Sequence, residues 1–117
     1  MKRFADRKNV PFAVVLVPNP ILVDFDPVQT VSKFDRIFDR AELVKAFQQN
    51  KPNRLFGGFF ELAGIPYLDP TNGMREGRTE DLYFEYDAHW NPAGNRRLGE
   101  VIADWLAGTR WLPSRTR

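Results

Sequence analysis

The sequence predicts an α/β fold with parallel strands. Two short segments, Phe12–Val17 and Ile65–Asp69, are rich in apolar residues without alternation, as in strands covered on both faces. Helical patterns lie between them, and strands alternating with helices favour parallel pairing. A third observation is an amphipathic helix near the end of the sequence, whose apolar face at positions i, i+3, i+4, i+7 and i+8 consists of Leu98, Val101, Ile102, Trp105 and Leu106.

The first half of the sequence contains one strand between helical segments. Met1–Asn9 is polar and predicted to be helical, and Pro18-Asn19-Pro20 closes the strand that follows it. Ile21–Phe38 gives no clear pattern. Beyond it, Asp39 and Glu42 form a capping-box pair that predicts a helix up to about Gln49.

The second half alternates between breaks and regular elements. We expect Lys51-Pro52-Asn53 to break the preceding helix, and Arg54–Ala63 to form the next one, with Gly64 as its stop. After the second strand, Thr71–Asp81 is predicted to be a polar loop because Asn72-Gly73 and Gly77 are turn signals.

The amphipathic helix has the clearest boundaries. Leu82–Tyr86 leads toward it, Asn91 suits the N-cap, and Pro92 suits the first helical position. Gly108 ends it. Two predicted strands make a small sheet for this pattern, so we expect the 117 residues to be part of a larger three-layer domain.

Composition excludes several classes of function. The chain has no cysteine, which excludes disulfides, thiolate catalysis and cysteine–zinc sites. Its 17 basic and 15 acidic residues are mixed along the sequence, so no clustered basic face for nucleic acid is expected. The longest apolar run is far shorter than the ~20 residues that span a bilayer. No apolar segment follows the basic start, so a cleavable signal peptide is not expected in this sequence. The compartment is not determined, and the parent protein can be periplasmic, secreted or membrane-anchored.

The lone histidine is the most informative residue. His89 follows a polar loop, stands just before a helix, and has Asp87 two positions upstream. In open α/β sheets the site lies beyond the carboxyl ends of the strands, where such loops gather. A carboxylate that accepts the Nδ1–H of an imidazole fixes its tautomer and leaves Nε2 as a general base. A structural or surface histidine is the alternative.

The residues around this pair carry a resemblance. Tyr86-Asp87-Ala88-His89-Trp90-Asn91-Pro92-Ala93-Gly94, followed by the amphipathic helix, resembles the last conserved block of the SGNH/GDSL hydrolase superfamily. The two apolar segments resemble the last two strands of that flavodoxin-like α/β/α fold. The resemblance implies that Asp87 and His89 are two members of a Ser-His-Asp triad. The triad would act on an ester or an acetylated substrate, and acetylated carbohydrates are among the candidates. No cofactor and no metal are implied.

The sequence departs from the family pattern in two ways. The usual spacing is Asp-x-x-His, whereas the Asp-x-His-Trp found here is similar to the branch of alginate O-acetyltransferase-like proteins. The Gly-Asp-Ser nucleophile block, the oxyanion-hole glycine and the Gly-x-Asn-Asp block are absent. Ser32 and Ser114 have no strand-to-helix elbow, and Asn19 lacks the setting of an oxyanion donor. The nucleophilic serine is therefore expected outside these 117 residues.

Three functions remain open at this point. The first is the C-terminal part of an esterase, lipase-like enzyme or O-acetyltransferase, with His89 as base and Asp87 orienting it. The second is an inactive SGNH-like binding or scaffold module. In the third, the same two residues bind a metal. It has little support because catalytic zinc usually takes three protein ligands.

Aromatic and charged residues near these motifs are ambiguous. Trp90 is expected either to anchor the helix or to form a wall of the acyl pocket, which would make it a substrate-binding residue. We expect the aromatic rings around Gly57-Gly58, those of Phe56, Phe59 and Phe60, to belong to the core and to be partly exposed. The charged side chains before the site are expected to lie on the surface more readily than to contact substrate; they are Arg75, Arg78 and Glu80.

Overall fold

The computed structural model describes residues 1–23, 41–42, 45, 50–76, 79–85 and 89–109, which contain a small parallel sheet and several helices, five of them with defined bounds. The elements are, in order, α1 (Lys2–Lys8), β1 (Val14–Val15), α2 (Pro20–Val23), α3 (Lys51–Leu62), β2 (Tyr67–Leu68), α4 (Thr71–Arg75) and α5 (Pro92–Ala107). The described part is thus mostly helical with two strands. Among these helices, none is long and apolar enough to cross a bilayer.

The two strands are parallel, as predicted. Val14 pairs with Tyr67 and Val15 with Leu68. The Val14 N–H donates to the Pro66 carbonyl at 3.0 Å, and the next ladder bond runs from Leu16 to Leu68 at 2.9 Å. Both strands are shorter than the apolar segments that predicted them. Prolines flank each strand, and a proline offers no N–H to extend a ladder.

Helix α3 begins earlier than the sequence suggested. Lys51-Pro52-Asn53 forms its first turn, so the predicted start at Arg54 is wrong by three residues, whereas the predicted end of the preceding helix lies outside the described residues. Pro52 fits there because the first N–H groups of a helix have no partner within it. Asn50 precedes the helix in a left-handed conformation with φ 47°. The predicted stop is confirmed: the helix ends at Leu62, and Gly64 has φ 59°.

The predicted helix from Asp39 to Gln49 lies mostly outside the described residues. Ala41, Glu42 and Lys45 within it are helical. Asp39, the first member of the predicted capping box, lies outside the described residues. At the start of the chain, α1 confirms the helix predicted for Met1–Asn9, and Asn9 ends it in a left-handed conformation.

A short helix replaces the start of the predicted polar loop. The loop prediction for Thr71–Asp81 is wrong for its first five residues, which form α4. The cause is a side chain in the preceding segment. Asp69 Oδ1 accepts hydrogen bonds from the Thr71 N–H at 3.0 Å and from its hydroxyl at 2.5 Å. Asn72-Gly73, read as a turn signal, therefore lies inside a helix whose Met74 is fully buried.

Polar partners also set the acidity of Asp69. Partial burial pushes its pKa up, but hydrogen bonds from Thr71, Asn53 and Asn50 together outweigh burial and lower the pKa below the usual value. The Asn50 amide donates to Asp69 Oδ2 at 3.1 Å, and the buried Asn53 amide also donates to the Thr71 hydroxyl at 3.3 Å. The start of α3 is thereby tied to the end of β2.

The described core lies between α2, α4 and the segment before α5. Its buried members are Val23, Met74, Leu82 and Tyr83, with Trp90, Ala93 and Leu98 packed against them. From the α/β pattern we expected the helix at Pro92–Ala107 to pack across the two strands, but α5 packs chiefly on α4. A Cβ on Gly73 would lie 2.9 Å from the Val101 methyl groups, so α4 and α5 approach closely there.

The predicted apolar face of α5 is confirmed in its phase. Its five residues are half-buried, whereas most of the residues on the opposite side are exposed. Arg97 adds polar ties to α4, since its guanidinium donates to the Gly73 carbonyl at 2.9 Å and to the Glu76 carbonyl at 2.7 Å.

One side of α3 exposes large apolar groups. Phe60 is half-buried and packs on Tyr67 of β2, with ring centroids 5.7 Å apart. Phe56 and Phe59 were expected to be partly exposed core, and they are 56% and 60% exposed. Leu62 is 93% exposed on the same helix. Contiguous apolar surface of this kind promotes association.

We expect the 117-residue chain on its own to self-associate through this surface of α3. Size-exclusion chromatography over a range of concentrations measures it. The double substitution Phe59→Gln and Leu62→Gln should shift the chain toward monomer, whereas Ala103→Gln on the exposed side of α5 should not. A wild-type monomer that unfolds cooperatively in urea with a free energy in the usual ~5–15 kcal/mol range would contradict this expectation.

A second prediction concerns acid. Because the folded-state pKa of Asp69 is below its unfolded value of about 3.9, the stability it contributes is fully present above that value and is lost as the pH falls through the folded pKa. Urea unfolding at low protein concentration, followed from about pH 6 to pH 2.5, measures this loss. Asp69→Asn should reduce the fall in the free energy of unfolding at acid pH, called the acid limb below. Thr71→Val removes a hydroxyl donor and should move the limb to higher pH; an unchanged limb in both variants contradicts the assignment.

Candidate functional site

His89 is held in a small antiparallel hairpin directly before α5. Tyr83 and Trp90 form the bridge between its two sides. The Phe84 N–H donates to the His89 carbonyl, and the Asn91 N–H to the Leu82 carbonyl, both at 3.1 Å. These bonds fix the backbone on either side of the bridge, so the position of the imidazole is set by the hairpin and by one side-chain rotamer.

Asn91 joins this hairpin to the helix. Its Oδ1 accepts the Gly94 N–H at 2.9 Å, which confirms the predicted N-cap. Its amide donates in the other direction, to the Asp81 carbonyl at 2.7 Å and to the Tyr83 carbonyl at 3.4 Å. One side chain therefore starts α5 and holds the strand that faces His89.

Gly94 allows the helix to approach the hairpin. A Cβ at this position would overlap the Leu82 carbonyl oxygen and would lie 3.2 Å from the Cβ of Trp90. The obstacle is backbone, which cannot rotate away as a side chain can. The spacing Asn-x-x-Gly in this sequence thus has a local physical reason: Asn91 caps the helix, and Gly94 lets the helix contact the hairpin at Leu82.

His89 lines a cleft at the carboxyl end of β1. The His89 side chain is exposed rather than buried against Leu98 or Val101. The cleft has a volume of about 470 Å³ and is lined by Val17, Pro18, Asn19, Pro20, His89, Trp90 and Asn95. Three of the seven belong to the loop that follows β1, and Pro20 is the first residue of α2. His89 thus lies beside the end of a parallel strand, where loops form sites in open α/β sheets.

Asp87 lies outside the described residues. Its predicted contact with the imidazole, at about 2.6–3.2 Å, stays a prediction. Arg78, Ser32 and Ser114 also lie outside the described residues. Arg75 and Glu80 are exposed and do not line the cleft. In the described ranges no three His, Cys, Asp or Glu side chains form a group that could hold a metal.

Trp90 contacts both the core and the cleft, which confirms its packing role, while its role in substrate binding stays a prediction. It packs against the buried cluster, and its ring meets the Tyr83 ring edge-on with centroids 6.4 Å apart. It also lines the cleft next to His89. A half-buried aromatic ring can do both, because one part of it fills the core while another forms a wall.

The opposite wall is a rigid turn. Asn19 Oδ1 accepts the Ile21 N–H at 3.0 Å, and the Asn19 carbonyl accepts the Leu22 N–H at 2.9 Å, so the loop turns directly into α2. This local bonding accounts for an asparagine between two prolines. Across the cleft, Asn95 donates to the Asn91 carbonyl at 3.1 Å. Sequence reasoning missed Asn95, although its place one turn after the N-cap was a usable signal.

Comparison with known proteins adds no further constraint. No protein-family model, curated protein or solved structure matches this chain significantly. The chemistry of the cleft is therefore inferred from the residues that line it and from the hairpin that positions them.

We expect Gly94→Ala to destabilise the chain strongly. Its methyl group meets a backbone carbonyl, and overpacking of this kind costs about 1–3 kcal/mol or more. Gly99→Ala is the matched control on the same helix, where a Cβ meets nothing within 4 Å. That change should stabilise by about 0.5–1 kcal/mol, because alanine is the better helix former. Urea unfolding compares the two, and equal effects would contradict the close approach.

Proposed function

We propose that this chain is the C-terminal part of an SGNH-type serine hydrolase or O-acyltransferase domain with a three-layer α/β/α fold. His89 is its general base, Asp87 orients the imidazole, and the nucleophilic serine is supplied by a segment outside these 117 residues. The substrate is an ester, with acetylated carbohydrate among the candidates.

One observation carries the proposal: His89 is exposed and lines a cleft together with the segment that follows β1. Parallel strands end at this edge, and nucleophile-bearing loops of an α/β sheet end at the same edge. The described sheet has two strands, so each has an outer edge available for a further strand. The half-buried apolar face of α5 and the exposed face of α3 are suited to packing against additional layers.

The reaction follows from the placement of one base beside an open cleft. His89 Nε2 accepts the proton of the serine hydroxyl as its oxygen attacks the ester carbonyl. The imidazolium then donates that proton to the departing alcohol, which leaves an acyl-serine. Water attacks the acyl-serine in a hydrolase, and an acceptor hydroxyl attacks it in a transferase; His89 removes the proton from the attacking oxygen and returns it to the serine.

The walls of the cleft suit an uncharged acyl group. Two prolines and the indole of Trp90 provide apolar surface, and Asn19 and Asn95 provide neutral polar groups. A site lined in this way orients a ligand through few hydrogen bonds and excludes water from its acyl portion. Trp90 is accordingly proposed as a substrate-binding residue.

The full-length protein that contains this chain tests the proposal. Its reading frame should encode a Gly-Asp-Ser elbow upstream, and the purified protein should hydrolyse an aryl acetate. His89→Ala should reduce kcat/KM by roughly 10³–10⁶-fold, because the base acts in both acylation and deacylation. Asp87→Asn should cost as much or less.

Arg75→Ala is the matched control, since Arg75 is exposed and outside the cleft. Its kcat/KM should stay within about twofold of wild type, as for a substitution that loses no contact with the transition state. A full-length protein with the serine present and indifferent to His89→Ala would overturn the role of His89. A full-length protein without the serine, and without turnover, would favour the inactive binding module.

The isolated chain should not turn over an aryl acetate faster than free imidazole does. It supplies a base, but neither the nucleophile nor the oxyanion donors that the acyl-enzyme route requires. Initial rates with and without a chelator measure this. Turnover by the isolated chain that a chelator abolishes would contradict the proposal and point to a metal site.

A further inference from the structure

A buried phenol links the two walls of the cleft. The Tyr83 side chain is 8% exposed, and its hydroxyl donates to the Pro18 carbonyl at 2.9 Å. These residues are 65 positions apart. Tyr83 belongs to the hairpin that holds His89, and Pro18 belongs to the loop on the other side of the cleft. The bond therefore connects the base to the opposite wall.

The partner of the phenol is itself buried. Pro18 is among the most deeply buried side chains, with less than 2% of its surface exposed. Among the described residues, the last ladder bond of β1 is that of Leu16, and no strand there pairs with Pro18. The loop then turns into α2, whose Val23 packs in the same cluster as Tyr83. The wall is held from both of its ends.

Hairpin and phenol together define the geometry of the imidazole. Tyr83 pairs with Trp90 across the hairpin, and His89 directly precedes Trp90 in the chain. A shift of the Pro18 loop relative to Tyr83 would change the width of the cleft between Pro18 and His89. Substrate bound against that wall would then be displaced from the base.

We propose that Tyr83 is a positioning residue, whose hydroxyl sets the distance between His89 and the substrate-bearing wall at Pro18. The inference rests on the proposed function, because it assumes that His89 acts on a substrate in this cleft. Tyr83 does not touch the reacting atoms; it acts through the Pro18 loop.

The hydroxyl can be tested separately from the ring. Tyr83→Phe keeps the aromatic packing against Trp90 and removes the bond to a buried carbonyl. Tyr67→Phe is the matched control: it deletes the same atom from a strand residue whose hydroxyl donates to the exposed Glu61 carboxylate at 3.1 Å. Tyr67 is not part of the cleft.

The experiment uses the full-length protein with an aryl acetate and counts active sites by covalent titration of the serine. Tyr83→Phe should lower kcat per active site about 10–100-fold while KM stays within about twofold, since misplacement by about 1 Å can cost 10²-fold in rate. Tyr67→Phe should leave both unchanged. The imidazole resonance of His89, assigned by its loss in His89→Gln, should move in Tyr83→Phe and stay in place in Tyr67→Phe.

Each outcome decides a different statement. If His89→Gln abolishes turnover and Tyr83→Phe has the kcat of Tyr67→Phe, the inference about Tyr83 is overturned and the proposed function stands. If His89→Gln keeps wild-type turnover, the proposed function fails, and the inference fails with it. A loss in Tyr83→Phe that appears only as fewer titratable sites, with kcat per site unchanged, would show a role in folding alone and overturn the inference.

Discussion

The close contact between the first turn of α5 and the hairpin before it is the constraint on which the site depends. Gly94 lies against the Leu82 carbonyl, and Asn91 caps the helix while it bonds the carbonyls of the hairpin. Helix direction, hairpin pairing and the position of His89 are thereby one unit. Capping is worth only about 1 kcal/mol in energy, but here it also determines geometry.

Local patterns were enough to predict the elements whose causes are local. Asn91 and Pro92 predicted the start of α5, and the spacing of apolar residues predicted its buried side. Helix starts and helix faces depend on residues within about one turn of each other. The parallel pair followed from apolar runs separated by helices. The Asp-x-His-Trp string pointed to the loop before the helix, and His89 lies in the cleft there.

Ambiguous local signals, and one contact between distant segments, limited what could be predicted. Helix α4 was missed because Asp69 caps it from the strand side, and an Asn-Gly pair is by itself a turn signal. Lys51–Asn53 was taken as a break because proline ends a helix in its interior but fits its first turn. Tyr83 was unremarkable in sequence because its partner is 65 positions away.

Helix α4 also affects how the chain ages chemically. Asn-Gly pairs in flexible chains deamidate readily, because the glycine nitrogen attacks the side-chain carbonyl and closes a succinimide ring. That attack requires a backbone ψ far from the helical value. The bond from the Glu76 N–H to the Asn72 carbonyl, at 2.9 Å, keeps Asn72-Gly73 helical although Asn72 is exposed. Because ring closure is slow compared with local opening of a short helix, isoaspartate at position 72 would accumulate in proportion to the fraction of time that α4 is open, and would record the local stability of that helix.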